Sequence, residues 1–139
     1  MIQGSCLCKS VAFKIYKEIR KAVICHCTMC QKSNGEFSSY TKTKLSNFKL
    51  TQKSSLRWYH SSKNYRRGFC FKCGSSLFFQ KIKDPIDIAI STGSLKKNIS
   101  TIGHIYYQDK KSKLIIGKNL KKFKKSSNGI FDSHLLKIK

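Results

Sequence analysis

The sequence predicts a single, mainly β domain held together by metal-bound cysteines, and three observations support this prediction. The chain has 139 residues, of which 40% are hydrophobic and 12% aromatic, enough to build the core of one domain. Short segments alternate apolar and polar residues between Gly and Ser-Asn clusters, as strands joined by tight turns do, and helical periodicity is weak. All seven cysteines lie in clusters, which is typical of metal ligands.

The first half of the chain contains four strand patterns. Residues 11–16 (VAFKIY) alternate apolar and polar side chains, as a half-buried strand does. Residues 22–24 form a short apolar run that leads into a cysteine cluster. Phe48 and Leu50 alternate with polar neighbours, and residues 56–59 resume the same pattern.

The second half continues in the same way. Residues 67–70 lead into a cysteine cluster and residues 77–80 lead away from it. Isoleucines at every second position of segment 86–90 follow Pro85, which fits a strand that opens at a proline. Residues 102–107 and 114–116 predict two shorter strands.

The predicted domain occupies residues 1–125, and residues 126–139 form a tail. The tail begins with the linker-like sequence SSNG, and its later residues are apolar enough to dock on the domain or on a partner. The amino terminus lacks the basic start and apolar run of a signal peptide, and no apolar stretch reaches membrane-spanning length. We therefore predict no membrane association and a cytoplasmic location.

The net charge of +23 comes almost entirely from lysine. Such a charge is compatible with a nucleic-acid partner. Arginine, however, is the residue that phosphate and base recognition favours, and the chain has few of them. We therefore interpret most lysines as a solvated surface, and we expect Arg66 and Arg67 to be exposed as well.

The cysteines form three groups: an N-terminal pair (Cys6, Cys8), a central triplet (Cys25, Cys27, Cys30) and a distal pair (Cys70, Cys73). An odd number in a reducing compartment argues against a disulfide framework. Thiolate clusters of this kind bind zinc, in closed sites with four protein ligands or in open sites with three. The grouping therefore indicates zinc.

Seven ligands divide into four and three, and spacing allows more than one partition. The two pairs can close one site, which leaves the central triplet open. The N-terminal pair can instead join Cys25 and Cys27, leaving Cys30 with the distal pair. A purely architectural role for both sites, as in a zinc ribbon, is an equal alternative on spacing alone.

An open centre with three thiolates is a weak Lewis acid and suits the capture of a further thiolate. An anionic thiol such as glutathione would be drawn in by Lys32 and by the basic field of the protein. His26 points opposite to its two neighbours in an extended segment, so we expect it to pack or hydrogen-bond near the open position. Gln31, Lys32 and Ser33 follow closely enough to line a substrate pocket, and His104 is expected to be structural.

Five segments together resemble a known family: GSCLCKSVAF, CHCTMCQKSNG, FCFKCGSSLFF, STGSL and HIYYQDK, in that order within residues 4–123. They are similar to the glutathione-dependent formaldehyde-activating enzymes and centromere protein V. The resemblance implies a β-tent fold with two zinc ions per chain. It implies a structural zinc on the two cysteine pairs and a catalytic zinc on the central triplet.

The family's founding activity joins glutathione to formaldehyde and gives S-hydroxymethylglutathione. We therefore predict a carbon–sulfur lyase or synthase that acts on glutathione and formaldehyde, or on a related thiol–aldehyde adduct. The alternative is a non-catalytic zinc module whose basic surface binds nucleic acid. The chain departs from the family at Lys9, where glycine is usual, and in lacking a tryptophan after the HI motif; its single tryptophan is Trp58.

Overall fold

The computed structural model describes residues 1–111 and 119–138, and strands dominate it. The strands in chain order are β1 (Ile2–Ser5), β2 (Ala12–Ile15), β3 (Glu18–Arg20), β4 (Ala22–Cys25), β5 (Ser38–Lys44), β6 (Phe48–Gln52), β7 (Leu56–His60), β8 (Tyr65–Cys70), β9 (Ser76–Lys81), β10 (Asp87–Ser91), β11 (Thr101–Ile105), β12 (Lys121–Lys122) and β13 (Leu135–Lys137). The helical segments are α1 (Thr28–Asn34) and the 3-10 turns Leu45–Asn47, Thr92–Ser94, Tyr107–Asp109 and Ile130–Ser133. The predicted mainly β fold is confirmed.

An eight-stranded sheet in the order β12-β11-β4-β5-β10-β9-β8-β7 forms the body of the domain. Its strands pair antiparallel, except that β11 runs parallel to both β4 and β12. A three-stranded sheet, β1-β2-β6, and a two-stranded sheet, β13-β3, complete the architecture. Strand β4 is buried along its whole length, and the central triplet begins at its last residue.

Aromatic residues join the three-stranded sheet to the large one. Phe13 on β2 and Phe78 on β9 are fully buried and meet edge to face, with ring centroids 5.2 Å apart. Phe48 on β6 completes the group, 5.4 Å from each of the other two rings. The buried Phe13 and Ile15 occupy alternate positions on β2, which is why the alternation in residues 11–16 predicted this strand.

The described part of the tail lies against the domain. β13 pairs antiparallel with β3, and Phe131 is buried beside Phe123, with ring centroids 5.1 Å apart. The Phe131 ring also lies directly on the backbone of Gly103, where a β-carbon would clash with it. Asp132 forms ion pairs with Arg20 and with a lysine of β5. The tail therefore covers the edge of β3 and packs on β11.

The sequence patterns missed the strands β1, β3, β5, β12 and β13 and the helix α1, and the reason is clearest for β5 and α1. The sequence of β5, SSYTKTK, lacks an apolar face. Its buried Thr41 and Thr43 instead donate hydrogen bonds to the backbone carbonyls of Arg20 and Glu18, so hydroxyl groups occupy core positions. Helix α1 has seven residues, too few for a helical periodicity to show.

Two predicted strands differ from the structure or lie outside its described part. Ile86 was expected within a strand, but it precedes β10 and is 81% exposed. The strand predicted at residues 114–116 lies outside the described residues. Within residues 1–111 and 119–138, no helix has the length and apolar character needed to cross a membrane.

Candidate metal centres

The two cysteine pairs come together at the end of the three-stranded sheet. Their four Sγ atoms lie within 4.8 Å of one another. The N-terminal pair occupies the turn between β1 and β2, where the Val11 N–H donates to the Cys6 Sγ over 3.3 Å. The distal pair occupies the turn between β8 and β9, where the Gly74 N–H donates to the Cys70 carbonyl over 2.8 Å. We call these four residues the closed cluster.

The closed cluster fits a tetrahedral zinc ion. Zn–S bonds of about 2.3 Å place the sulfurs of a tetrahedral site about 3.8 Å apart. The Cys8 Sγ lies 3.6 Å from the Cys6 Sγ and 3.7 Å from the Cys70 Sγ. The hydroxyl of Ser75 lies 3.2 Å from the Cys73 Sγ, and together with backbone N–H groups of the two turns it lowers the pKa of that thiol to about 5. Cys73 thus favours the thiolate, the form that binds metal, whereas burial raises the pKa of Cys6.

The backbone of Lys9 is left-handed, with φ of 64°. This residue directly follows the N-terminal pair, and its N–H donates to the Cys6 carbonyl over 3.1 Å. Glycine adopts this conformation without the steric cost that a β-carbon brings. The position where the family usually has glycine is therefore one that glycine would fit better.

The central triplet forms where β4 meets α1. Cys25 ends β4, Cys27 is the N-cap of α1, and Cys30 lies in the first turn of this helix. The Cys30 N–H donates to the Cys27 Sγ over 3.4 Å, so a sulfur atom caps the helix in place of the usual oxygen. The three Sγ atoms lie within 4.8 Å of one another, which suits one ion. Cys25 and Cys30 are buried and Cys27 is partly exposed, so the accessible side of the triplet lies at Cys27.

The triplet has no fourth protein ligand among residues 1–111 and 119–138. His26 Nε2 lies 2.8 Å from His104 Nδ1, and the two imidazole rings stack with centroids 5.1 Å apart. Tyr107 packs edge-on against both rings. Burial lowers the pKa of His26, and the positive charges of His104 and Lys110 lower it further. His26 is therefore buried against His104 and Tyr107 and is not part of the cluster of three sulfurs.

Within the triplet, the thiols share negative charge unequally. Hydrogen bonds from Cys25 and Cys27 lower the pKa of Cys30, whereas hydrogen bonds with Cys27 and Cys30 raise the pKa of Cys25. The positive charge of Arg67 also lowers the pKa of Cys30, because its Nη2 lies 3.7 Å from the Cys30 Sγ. Three sulfurs this close cannot all be thiolates without a cation between them, so the donor set fits a divalent ion.

The expectation that Arg67 lies exposed at the surface is wrong. Its side chain is only 8% exposed and packs over the Phe79 ring, 5.0 Å from the centroid. The contact with Cys30 spans 37 residues of sequence. Strand alternation in β8 indicates that one of the two adjacent arginines faces inward, but not which one and not what it meets.

Gln31 braces the triplet. Its Nε2 donates to the His26 carbonyl over 2.6 Å and to the Asp109 carbonyl over 2.7 Å. The amide nitrogen therefore already has two backbone partners, whereas the Oε1 is buried without a hydrogen-bond partner. Lys32 is exposed, and the hydroxyl of Ser33 donates to the Met29 carbonyl over 2.7 Å.

A polar cavity of about 600 Å³ begins at the last turn of α1 and reaches the closed cluster at Cys6. Its walls are rich in hydroxyl groups, contributed by Ser5, Ser33, Ser75, Ser76, Ser91 and Ser94. Lys96 adds a cation to the same wall and donates to the Gln3 Oε1 over 3.0 Å. Of the three residues expected to line a pocket, Ser33 lines this one.

Tyr106 lies close to the triplet in an unusual conformation. Its backbone is left-handed, with φ of 52°, which is rare for an aromatic residue and costs energy. Burial raises the pKa of its phenol, and the charges of Cys25 and Cys27 raise it further. Sequence patterns predicted a strand residue here, whereas β11 ends one residue earlier.

Comparisons with known proteins agree with this arrangement. Residues 1–109 match the family described as glutathione-dependent formaldehyde-activating enzyme. An uncharacterized lyase of Schizosaccharomyces pombe is 31% identical over 78 residues, which are 55% of this chain and 56% of that protein. The match thus spans about half the length of this curated relative.

A crystal structure of a Rhodobacter sphaeroides protein has a similar fold. The TM-score is 0.55 with 17% sequence identity, and the superposition covers 71% of this chain and 98% of the other. This likeness concerns the fold alone. The family match, in contrast, includes every cysteine of both clusters, because all seven lie within residues 1–109.

Proposed function

Because the chain belongs to the family of glutathione-dependent formaldehyde-activating enzymes, we propose that it is a zinc-dependent carbon–sulfur lyase or synthase. Its substrates are glutathione and formaldehyde, or a related thiol and aldehyde, and its product is S-hydroxymethylglutathione or the corresponding adduct. The observation that carries this proposal is the central triplet: three convergent thiols without a fourth protein ligand among the described residues. The closed cluster, in contrast, contains four cysteine sulfurs.

The reaction needs no oxidant or reductant. The sulfur of glutathione forms a bond to the carbon of formaldehyde, and the π electrons of the carbonyl move to its oxygen. The thiol proton is transferred to that oxygen, which becomes the hydroxyl of the product. Zinc on the central triplet would supply positive charge that favours the thiolate form of the incoming thiol.

Residues around the triplet hold its cysteines in place and define the side from which a substrate can approach. Gln31 ties the triplet to the segment that ends at Asp109, and Tyr107 of that segment packs against the buried pair His26 and His104. Cys27, the partly exposed member, marks the side from which a substrate can approach. The left-handed Tyr106 places its phenol near this side, where it can exclude water or hydrogen-bond the substrate oxygen.

We place the peptide part of glutathione in the serine-lined cavity. Its volume of about 600 Å³ falls in the usual range for small-molecule sites. Hydroxyl groups suit the amide groups of a peptide, and Lys96 suits a carboxylate. The cavity starts at the carboxyl end of α1, whose amino end carries Cys27 and Cys30.

The test measures the rate at which glutathione and formaldehyde combine, by exchange NMR with labelled formaldehyde. We expect zinc-loaded protein to accelerate the reaction and Cys27→Ser to abolish the acceleration, because this change removes one ligand. Met29→Ala is the matched control, since Met29 is exposed on the same helix and lies outside the triplet. Equal rates with and without the wild-type protein would contradict the proposal for this substrate pair.

A further inference from the structure

Arg67 is a buried cation that faces the central triplet. It lies on β8 between Tyr59 of β7 and Phe79 of β9. Its Nη2 donates to the Cys30 Sγ over 3.7 Å, and its Nη1 is buried without a hydrogen-bond partner. The guanidinium group is thus directed at the sulfur cluster and shielded from water, which strengthens its electrostatic effect there.

The described ion pairs give Arg67 no carboxylate. They join Asp132 to Arg20 and Lys42, and Asp87 to Lys42. A buried charge is costly unless an opposite charge compensates for it. The Cys30 Sγ, which the Nη2 contacts over 3.7 Å, can carry such a charge, so a thiolate of the triplet would serve as the counter-charge of Arg67.

The charge of Arg67 affects which fourth ligand the metal-loaded triplet can bind. Three thiolates around a divalent ion carry one net negative charge, and Arg67 cancels it. A neutral fourth ligand would leave the ensemble neutral, and a fourth thiolate would bring it to one negative charge. Without Arg67 the same thiolate would bring the centre to two negative charges, in a site that water does not screen.

We propose that Arg67 is a positioning residue that raises the affinity of the triplet's metal for an anionic thiolate as fourth ligand, relative to its affinity for a neutral ligand. This inference rests on the proposed function, since it assumes that the fourth ligand comes from solution. It assigns a task to a side chain that lies outside the cysteine motifs. It also replaces Lys32, which is exposed, as the cation that offsets the added charge.

Arg66 is the matched control for Arg67. It is the preceding residue of the same strand, and its side chain points to the other face of the sheet. There it stacks on Trp58, 4.2 Å from the ring centroid, and its Nη2 donates to the Gln80 Oε1 over 2.7 Å. Removing Arg66 changes the charge of the protein by the same amount without changing the charge beside the triplet.

The experiment uses cobalt-loaded protein, because the visible spectrum of cobalt reports its fourth ligand. Glutathione, which binds as a thiolate, and imidazole, which binds neutral, are titrated separately, and the ratio of their affinities is measured. We expect Arg67→Met to lower the ratio of thiolate to imidazole affinity about tenfold or more. Arg67→Lys should retain most of the preference, and Arg66→Met should leave it unchanged.

Arg67→Gln separates charge from hydrogen bonding. Its amide can still donate to the Cys30 Sγ but carries no charge, so it should lose the preference as Arg67→Met does. The inference is overturned if Arg67→Gln or Arg67→Met keeps the wild-type ratio, or if the wild-type centre binds neither ligand. Should Arg67→Met fail to fold, Arg67→Gln and Arg67→Lys decide the question, with metal content as the check of folding.

These outcomes separate the inference from the proposed function. A wild-type centre that prefers thiolate through Arg67, in a protein that does not accelerate the reaction of glutathione with formaldehyde, supports the inference. That result contradicts only the proposed enzyme activity. Acceleration that persists together with an unchanged ratio in Arg67→Gln contradicts only the role of Arg67.

Discussion

At the scale of single residues, the cysteine clusters that could hold metal were predictable from the sequence, and their surroundings were not. The close spacing of the cysteines is visible in the sequence. The structure brings the N-terminal and distal pairs together in one cluster and forms a separate cluster from the triplet. Spacing alone had allowed another partition. Arg67 and Gln31 act through contacts with Cys30 and Asp109 that are distant in the sequence. No local pattern encodes such contacts, since they depend on how β8 and the segment after β11 pack against α1.

Lys9 supplies a prediction at this scale. Its left-handed backbone, with φ of 64°, costs energy for any residue with a β-carbon. Removing this strain should raise the free energy of unfolding by more than the larger unfolded-state entropy of glycine lowers it. We expect Lys9→Gly to raise the free energy of unfolding by about 0.5–1 kcal/mol, measured by urea denaturation at fixed zinc concentration.

Lys14→Gly is the control for Lys9→Gly. Lys14 lies within β2 and is not among the residues with positive φ. Glycine in a strand interior weakens it, so this variant should be less stable than wild type. A loss of stability in Lys9→Gly as well would show that the turn of the N-terminal pair gains nothing from glycine.

At the scale of elements, strands with an apolar face were predictable and others were not. β2 and β10 place isoleucines and phenylalanine at alternate buried positions, and this pattern is visible in the sequence. β5 lies inside the large sheet, but its buried positions include threonines whose hydroxyls bond to the backbone of β3. Such hydrogen bonds satisfy a polar side chain in the core, and no local sequence pattern predicts them.

The docking of the tail gives a prediction at the element scale. Phe131 is 2% exposed and contacts Phe123 and the backbone of Gly103. We expect Phe131→Ala to lower the free energy of unfolding by about 3 kcal/mol, the usual cost of emptying a buried phenylalanine site. The measurement is again urea denaturation, monitored by circular dichroism.

The neighbouring Ile130 provides the comparison for Phe131, because it is 49% exposed. Ile130→Ala should cost less than about 1 kcal/mol. Equal effects of the two variants would mean that Phe131 contributes no more than a surface residue. In that case the tail would not stabilise the domain, and the boundary between residues 125 and 126 would separate two independent parts.

At the scale of the whole molecule, charge and metal content are the two global properties that the sequence predicts. The net charge of +23 keeps nucleic acid as a predicted alternative partner, and that partner stays a prediction. Residues 37–83 contain no Asp or Glu, and the exposed Tyr59 and Phe71 lie in the same stretch as Arg57. Arg57 stacks on the Phe71 ring, 4.6 Å from its centroid.

The two clusters predict that a chelator removes metal in two phases. The triplet offers three sulfurs and an accessible side at Cys27, so its ion should leave first and without loss of fold. The closed cluster joins the turn after β1 to the turn after β8, so removal of its ion should unfold the domain. Zinc release is followed with a colorimetric indicator while circular dichroism records the fold.

Variants assign each phase to its cluster. Cys27→Ser should remove the fast phase and leave the fold and the slow phase intact, because it changes only the triplet. Cys8→Ser, the matched change in the closed cluster, should remove the slow phase and lower the stability of the whole domain. A single phase of release, or loss of fold during the first phase, would show that both clusters are structural. The triplet would then lack the exchangeable position on which a reaction with an external thiol depends.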